Sequence, residues 1–303
     1  MSDWKEQALL LAKDGLTQTQ IAKKLDKPRT TVRDFLRSSQ HAIKVTEPYI
    51  ILIDIETSPT LGWVWGRFDQ RLSQAQIEQE QFILSWSAQR LRKKYSLVGS
   101  VMTPDEVRNE DDSRLVQELA EILDQADVII AHNGKAFDCK VIKARMCFWG
   151  IQPPSHYRIE DTLLVARSEF KFPSNRLDSL AQYLGLGEKY ETGGFDLWKR
   201  CMAGDQSALD KMLEYNKQDV VLLEDVYNRL QPYNSKSVNK ATFYNDDAVR
   251  CTKCGSHNLS VVDKVVSSNL AQYAQYRCND CGGLSRSRVN GLGKAKRKTL
   301  LGN

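Results

Sequence analysis

The order of hydrophobic and polar positions divides the chain into three unlike parts. In residues 1–44 the apolar positions recur at helical spacing, which predicts a small all-α domain. From about residue 48 to residue 232, short apolar β-branched runs alternate with helical segments, as is typical of an α/β domain. After residue 250, two strand-like segments lie close to pairs of cysteines and predict a small β-rich domain.

The first part predicts three short helices joined by tight turns. Residues 4–14 form the first helix, which Gly15 would close. Thr17 is placed to cap the second helix, and Gln20, three positions later, completes a capping box. Asp26 stands at the next turn, where its short polar side chain tolerates the left-handed backbone conformation. The third helix follows that turn.

This arrangement resembles the helix-turn-helix of resolvases and transposases, although Asp26 stands where those families usually have glycine. The resemblance implies that the third helix lies in the major groove of DNA, with Arg29, Thr31 and Arg33 nearest the bases. A small helical protein-interaction domain with a solvated basic face is the alternative. DNA is expected over RNA as the partner, because helix-turn-helix modules mostly bind duplex DNA.

Four of the seven cysteines form two C-x-x-C-G pairs near the end of the chain. Four thiolates directed at one ion make the closed tetrahedral site typical of structural zinc. The odd cysteine total, without a secretory signal, argues against a disulfide framework. We therefore predict one Zn²⁺ in a zinc ribbon over residues 250–288, where His257 is unnecessary as a ligand. The predicted ligands are Cys251, Cys254, Cys278 and Cys281.

The net charge of +5 is an average over three different regions. Residues 1–47 carry a net charge of +3, residues 48–250 carry −5, and residues 251–303 carry +7. The basic ends suit a polyanion such as nucleic acid, which the acidic centre alone would repel. The polar segment 233–249 is predicted to be a linker, and the basic segment 289–303 is predicted to be a mobile, phosphate-binding tail.

Nothing in the sequence predicts a membrane protein. No run of about 18 apolar residues occurs, so no transmembrane helix is expected. The first 15 residues contain early acidic side chains and no small-residue cleavage site, so no signal peptide is predicted. We expect a cytoplasmic protein, in a bacterial cell or in one infected by a bacteriophage.

Three segments of the central part contain acidic residues that could share one site. Asp54 and Glu56 end an apolar strand, and their spacing of two places both carboxylates on the same side. Their repulsion and desolvation would be relieved by a divalent cation. Asp138 lies near the start of a helix, and Tyr215 and Asp219, four positions apart, share one face of another helix. Each of the three patterns is common by itself.

In this order the three segments resemble the DEDD superfamily of 3′–5′ exonucleases, the DnaQ-like branch of the ribonuclease-H fold. The motif D-x-E matches residues 54–56, N followed by F-D matches 133–138, and Y-x-x-x-D matches 215–219. The tyrosine that begins the last motif indicates the tyrosine subclass. The resemblance covers about residues 48–232, including the segment 172–194, and implies a mixed sheet flanked by helices.

The resemblance also implies that the protein hydrolyses a phosphodiester with two Mg²⁺ or Mn²⁺ ions. By analogy, Asp54 bridges the two ions. Glu56 and Asp219 hold the ion on the nucleophile side, and Asp138 supports the other ion through water. Tyr215 would hydrogen-bond the attacking water, because a phenol with an ordinary pKa of about 10 is a weak base at neutral pH.

Other residues near these motifs are expected to bind substrate or to support the site. The resemblance implies that Thr57, Asn133 and Phe137 contact the terminal nucleotide, although Phe137 serves equally well as a core residue. His132 is expected to have a structural role. Asp161 is expected to cap a helix or to support the site indirectly, rather than to bind metal.

Trp63 and Trp65 follow the acidic strand closely. Together they could form an aromatic platform for the bases of a single nucleic-acid strand. Their spacing of two is also that of a strand with one buried face. We predict that both side chains are buried in the core.

The sequence thus predicts a metal-dependent 3′–5′ exonuclease whose two ends bind nucleic acid. One alternative is a structure-specific or transposase-like endonuclease on the same fold, which the Y-x-x-x-D motif disfavours. Another is a DNA-binding regulator with an inactive nuclease core, which the complete set of four carboxylates and the tyrosine disfavours. A replication or repair partner, such as a polymerase or helicase, is compatible with this function, and no residue identifies one.

Overall fold

The N-terminal helices form one of the two units into which the chain divides. This first unit comprises Met1–Glu47 and Phe243–Asp246. The second unit comprises Pro48–Thr242 and Asp247–Asn303, so the cysteine-rich end belongs to the same unit as the central α/β part. The structure is a computed structural model that describes residues 3–13, 16–40, 47–187 and 193–302.

The first unit contains the three helices that the sequence predicts. The Thr17 hydroxyl accepts a hydrogen bond from the backbone N–H of Gln20, and the Gln20 side chain accepts one from the N–H of Thr17, which confirms the capping box. Asp26 has a φ of 50°, the left-handed conformation predicted for this turn. Gly15 lies outside the described residues. The helices are α1 (Asp3–Lys13), α2 (Gln18–Lys24) and α3 (Arg29–Gln40).

A five-stranded mixed sheet lies at the centre of the second unit. The strands before residue 162 are β1 (Ile50–Thr57), β2 (Leu61–Gly62), β3 (Ile77–Gln79), β4 (Ile83–Arg90), β5 (Val98–Val101), β6 (Val128–Ala131) and β7 (Arg158–Asp161). Five of these strands form the main sheet, in the order β5-β4-β1-β6-β7. In it β1 is antiparallel to β4 and parallel to β6. The central strand β1 is therefore the apolar run that the sequence predicts, with residues 50–53 buried.

Helices flank this sheet and confirm the predicted α/β class. They are α4 (Pro104–Asn109), α5 (Ser113–Gln125), α6 (Asp138–Phe148), α7 (Thr162–Glu169), α8 (Leu177–Tyr183), α9 (Asp196–Met202) and α10 (Gln206–Leu230). Short 3₁₀ helices cover Gln74–Gln76, Lys94–Ser96, Gln231–Tyr233 and Lys240–Phe243. The longest of these α-helices, α10, is one helix of 25 residues, and it packs against β1, β4 and β5.

The strands β2 and β3 form a hairpin outside the main sheet, and its aromatic residues contradict the prediction. Trp63 and Trp65 were expected in the core, but their side chains are 72% and 98% exposed. The prediction was wrong because β2 ends at Gly62, so neither tryptophan lies in a strand. The alternation of buried and exposed side chains therefore does not apply to them.

The cysteine-rich end of the chain forms a second, antiparallel sheet. The strands β8 (Leu259–Ser268), β9 (Ala271–Cys278) and β10 (Leu284–Arg286) lie in the order β10-β9-β8. In the segment predicted to be a mobile tail, Gly291 N–H donates to the Gln272 carbonyl at 2.7 Å, and Lys294–Lys298 form a short helix, α11. The residue Gly291, which precedes this basic helix, is thus hydrogen-bonded to β9.

A buried ion pair connects the segment predicted to be a linker to the α/β sheet. Lys240 is fully buried, and its Nζ lies 2.6 Å from a carboxylate oxygen of Glu160 on β7. The same oxygen accepts a hydrogen bond of 2.6 Å from the N–H of Val238, and Lys240 N–H donates to the Thr252 carbonyl at 2.8 Å. Residues 238–240 therefore differ from a solvated linker. The domain boundaries drawn from the sequence remain predictions.

No membrane-spanning helix is found within the described ranges of the chain.

Candidate functional site

Carboxylates from β1 and α10 meet at the end of the central strand. One carboxylate oxygen from each of Asp54, Glu56 and Asp219 lies within 4.8 Å of the other two. Asp54 and Glu56 point the same way because alternate side chains of a strand share a face. Packing of α10 on β1 brings Asp219 to them. These three residues and Asp138 are called the carboxylate cluster.

Asp138, the fourth member, lies against the same end of that strand. Its Oδ1 accepts a hydrogen bond of 3.3 Å from the backbone N–H of Ile55, and its side chain is buried. As the first residue of α6, it occupies a position where the helix dipole favours a negative charge. Its charge acts on Asp54 and raises the pKa of that residue, although Asp138 is not one of the three whose oxygens lie within 4.8 Å.

Asn216 is part of the site and was missed by the sequence analysis. Its Nδ2 donates a hydrogen bond of 2.6 Å to Oδ2 of Asp54, and the residue is fully buried. Its Oδ1 has no hydrogen-bond partner among the described residues. Asn216 lies three positions before Asp219 and so shares its helix face, which is the only signal the sequence offered.

Tyr215 lies beside the carboxylates, and its ring contacts the ring of Trp198. Burial, and then the charges of Asp219 and Glu56, raise the pKa of Tyr215 above its usual value, so its hydroxyl stays protonated and can donate. The rings of Trp198 and Tyr215 meet edge-on with centroids 6.3 Å apart. The Trp198 indole N–H donates to the Thr57 carbonyl at 3.2 Å, which ties α9 to the end of β1. Trp198 was also missed by the sequence analysis.

The electrostatics of the cluster fit a bound cation. Burial is the main cause that raises the pKa of Asp54 well above its usual value, and the charges of the three other cluster members add to it. Several buried like charges are costly unless a positive charge compensates them. Carboxylate oxygens are the donors that Mg²⁺ and Mn²⁺ prefer. The donor set therefore suits hard divalent cations.

We expect the stability of the cation-free protein to fall with rising pH because of Asp138. Burial raises the pKa of Asp138 to about 7, so in the folded state it keeps its proton up to higher pH than in the unfolded state. Its contribution is most favourable below the ordinary pKa of about 4 and is lost as the pH rises through about 7. The shift corresponds to at most about 4 kcal/mol.

The measurement is the melting temperature of the wild type and of Asp138→Asn in Mg²⁺-free buffer between pH 5 and pH 8. Asparagine keeps an oxygen for the Ile55 N–H and has no charge to desolvate. The variant should therefore gain stability relative to the wild type as the pH rises. A difference that stays constant over this range would contradict the expectation.

The loop after β6 is held in shape by Asp161. Its carboxylate accepts backbone N–H bonds from Asn133 and Lys135, each at 3.0 Å, and caps α7 through Leu163 and Leu164. Asp161 thus has the capping role that the sequence predicts. Asn133 has a φ of 69°, a left-handed conformation that this network of bonds supports.

Gly134 allows the same loop to pass close to β6. A Cβ atom at Gly134 would lie 2.4 Å from Cβ of Ala131, which no real contact reaches, so only glycine fits there. His132 has its two ring nitrogens 2.9 Å from the Thr162 hydroxyl and the Asn175 carbonyl, as expected of a structural residue. The loop therefore passes close to Asp138.

The substrate-binding roles predicted for Thr57, Asn133 and Phe137 stay predictions. Phe137 precedes α6 and packs, partly buried, against the main core cluster. The Thr57 hydroxyl accepts a hydrogen bond of 2.8 Å from Gln81 Nε2.

In the first unit, α3 carries the residues predicted to contact DNA. Arg29, Thr31 and Arg33 are all exposed. The guanidinium of Arg33 also forms an ion pair with Asp34, at 2.9 Å.

The four cysteines come together as a second candidate metal site. Their Sγ atoms all lie within 4.8 Å of one another, with Cys251–Cys281 at 3.6 Å and Cys254–Cys278 at 3.5 Å. A tetrahedral ion with bonds of about 2.3 Å needs sulfurs about 3.8 Å apart, so the set fits zinc. In each knuckle the glycine after the second cysteine, Gly255 or Gly282, has a positive φ, and its N–H donates to the first cysteine's carbonyl at 2.9 Å.

Comparison with known proteins adds to this geometry. A solved family B DNA polymerase from the hyperthermophilic archaeon Pyrobaculum calidifontis is 14% identical, with a TM-score of 0.43, covering 62% of this chain and 25% of the polymerase chain. A DNA polymerase III of the PolC type from Ureaplasma parvum serovar 3 is 26% identical over 121 residues. This match covers 40% of the chain but only 8% of the polymerase.

A sequence model of the RNase H superfamily matches residues 73–231, which is just over half of the chain. The match begins after Asp54 and Glu56 and includes Asp138, Tyr215 and Asp219. The mixed sheet flanked by helices agrees with it. This chain therefore belongs to the RNase H superfamily.

Proposed function

We propose that the protein is a metal-dependent 3′–5′ exonuclease that hydrolyses phosphodiester bonds, with DNA as the preferred substrate. The observation that carries this proposal is the convergence of carboxylate oxygens from Asp54, Glu56 and Asp219 within 4.8 Å at the end of a buried strand. The match to a polymerase III of the PolC type supports a role on nucleic acid.

The carboxylate cluster would hold two Mg²⁺ or Mn²⁺ ions, which together stabilise the attacking and leaving oxygens of an in-line displacement. Asp54 would contribute to holding both ions, because the charges of all three other cluster members act on it and Asn216 orients its Oδ2. Glu56 and Asp219 complete the group of three. Asp138, whose carboxylate accepts a hydrogen bond from Ile55 N–H, would support the second ion through water.

Tyr215 would position the attacking water through its hydroxyl. Because its raised pKa keeps the proton on the phenol, it can orient the water but cannot act as the base at neutral pH. The edge-on contact with Trp198 limits the movement of the ring. The terminal nucleotide would be contacted by Thr57, Asn133 and Phe137, of which Asn133 is held in place by Asp161.

The remaining parts of the chain would help to bind nucleic acid. Arg29, Thr31 and Arg33 are proposed to contact duplex DNA from α3. One Zn²⁺ is proposed on the four cysteines, where its folding contribution matters because so small a domain has little core of its own. The basic residues after β10 would add salt-dependent phosphate contacts.

We expect the purified protein to shorten a 5′-labelled single strand stepwise from its 3′ end. The reaction should require Mg²⁺ or Mn²⁺ and should stop when a chelator is added. Release of mononucleotides from a 3′-labelled strand, followed with each metal in turn, is the measurement. A closed circular single strand serves as the control and should stay intact. Cleavage of the circle would instead identify an endonuclease, and no cleavage with any metal would refute the proposed function.

A further inference from the structure

The hairpin of residues 61–79 exposes an unusual concentration of aromatic side chains. Trp63, Trp65 and Phe68 are 72%, 98% and 83% exposed, and all three fall within six consecutive residues. Leu61 and Val64 beside them are each about half exposed. Large apolar side chains on a surface usually stand singly, so such a cluster indicates a binding surface. This segment is called the aromatic hairpin.

Polar side chains, rather than these aromatic residues, hold the aromatic hairpin together. Trp63 N–H donates to the Gln76 carbonyl at 2.8 Å, and Gln76 Nε2 donates to the Trp63 carbonyl at 3.0 Å. Ser73 donates to the Gln76 side chain through both its N–H and its hydroxyl, and Gln70 Nε2 donates to the Phe68 carbonyl at 2.7 Å. The aromatic rings are therefore not needed to stabilise the hairpin, and they are available for a ligand.

The aromatic hairpin begins a few residues after the C-terminal end of β1, where Asp54 and Glu56 lie. Just after that end, Ser58 N–H donates to the Phe82 carbonyl at 2.8 Å, and Phe82 N–H donates to the Ser58 hydroxyl at 2.9 Å. Trp63 follows Glu56 by seven residues, so at most about 25 Å of extended chain separates them. At about 3.4 Å per stacked nucleotide, a strand of about seven nucleotides spans that distance.

Two exposed arginines, Arg67 and Arg71, stand among the aromatic residues of the hairpin. Asp69 and Glu78 bring the net charge of residues 61–79 to zero, so phosphate contacts would come from these two arginine side chains and not from an overall positive charge. Neither arginine forms an ion pair within the part of the chain that the structure describes. Aromatic rings that stack on bases, next to arginines that contact phosphates, are the combination by which proteins bind single strands without reading sequence.

We propose that the aromatic hairpin binds the unpaired bases of a single nucleic-acid strand, with Trp63 and Trp65 as stacking surfaces and Arg67 and Arg71 on the phosphates. This inference rests on the proposed function, because it takes the strand that leaves the carboxylate cluster as the occupant. The hairpin then selects single-stranded over duplex substrate, since paired bases do not offer their faces to a ring.

The test measures how tightly the full-length chain binds a fluorescent 12-nucleotide oligothymidylate, in an Asp54→Asn background that prevents hydrolysis. Replacing Trp63 and Trp65 together by alanine should weaken binding at least tenfold, because stacking adds about 1–3 kcal/mol per base. Trp65→Phe should keep most of the affinity, because a ring remains. The matched control is Tyr95→Ala, which removes an aromatic residue that is 85% exposed at the opposite end of β1.

A second readout separates this inference from the proposed function. With Asp54 intact, hydrolysis of the p-nitrophenyl ester of thymidine 5′-monophosphate involves a single nucleotide and should be unchanged within twofold by the tryptophan substitutions. Failure of the wild type to hydrolyse this ester would count against the proposed function. The oligothymidylate affinity of the tryptophan variants tests the proposed role of the hairpin independently. Binding that stays within twofold after both substitutions would overturn the inference. A change of oligomeric state in those variants would then identify the hairpin as a contact between copies of the chain.

Discussion

Replacing Asp54 by asparagine is expected to lower phosphodiester hydrolysis by at least about 10³-fold and to raise the melting temperature of the cation-free protein. Cation stabilisation of the transition state is worth several kcal/mol, and every 1.36 kcal/mol is a factor of ten in rate. Stability rises while activity falls because desolvation, and then the charges of the three other acids, raise the pKa of the partly buried Asp54. Asp54 thus lowers the free energy of unfolding of the cation-free protein.

The measurements are the initial rate on a 3′-labelled strand and the melting temperature without Mg²⁺. Asp210→Asn is a matched control, because Asp210 is an exposed acid on the same helix as Asp219. It should change neither quantity appreciably. An Asp54→Asn protein with more than a tenth of the wild-type rate would remove Asp54 from the proposed mechanism. A fall in its melting temperature would contradict the electrostatic account of the cluster.

Replacing Lys240 by methionine is expected to destabilise the second unit by about 3–5 kcal/mol. Glu160 and Lys240 form an ion pair in which both side chains are almost completely buried. Removing one partner of a buried pair leaves an uncompensated charge, and the cost is of that size. The hydrogen bonds to Glu160 from Tyr227 and Val238 remain, and they limit the loss.

Urea unfolding followed by circular dichroism measures this cost. Lys236→Met is the control, since Lys236 is an exposed lysine a few residues earlier in the chain and should change stability little. Adding Glu160→Gln to Lys240→Met should recover part of the loss, because no charge is then left buried. A cost below about 1 kcal/mol for Lys240→Met would indicate that the pair contributes little to the attachment of the cysteine-rich part.

Local rules of strand and helix geometry predicted which acids of the carboxylate cluster share a face, whereas only the family resemblance implied that the segments meet. A spacing of two on a strand placed Asp54 and Glu56 on one side. The capping box of Thr17 and the left-handed turn at Asp26 were predictable for the same reason. In each case the decisive interaction lies within a few residues along the chain.

Features that depend on distant contacts were not predictable. Asn216 looks like any polar residue on a helix until α10 is packed on β1, and then it bonds to Asp54, 162 positions away. Lys240 is buried only because it pairs with Glu160, which lies 80 positions away in the chain. Trp63 and Trp65 were misplaced because alternation applies only inside a strand, and β2 ends at Gly62, a residue type that interrupts strands.

Because α10 is one continuous helix, the number of residues between its contact with the carboxylate cluster and its contact with Glu160 cannot change. The helix presents Asp219 to the carboxylate cluster. Eight residues later it presents Tyr227, whose hydroxyl donates a hydrogen bond of 2.7 Å to the Glu160 carboxylate. One inserted residue between them would rotate everything beyond it by about 100° and shift it by about 1.5 Å. Either contact could then form, but not both. Related chains that keep both contacts should therefore vary in length within their loops and never within this stretch of helix.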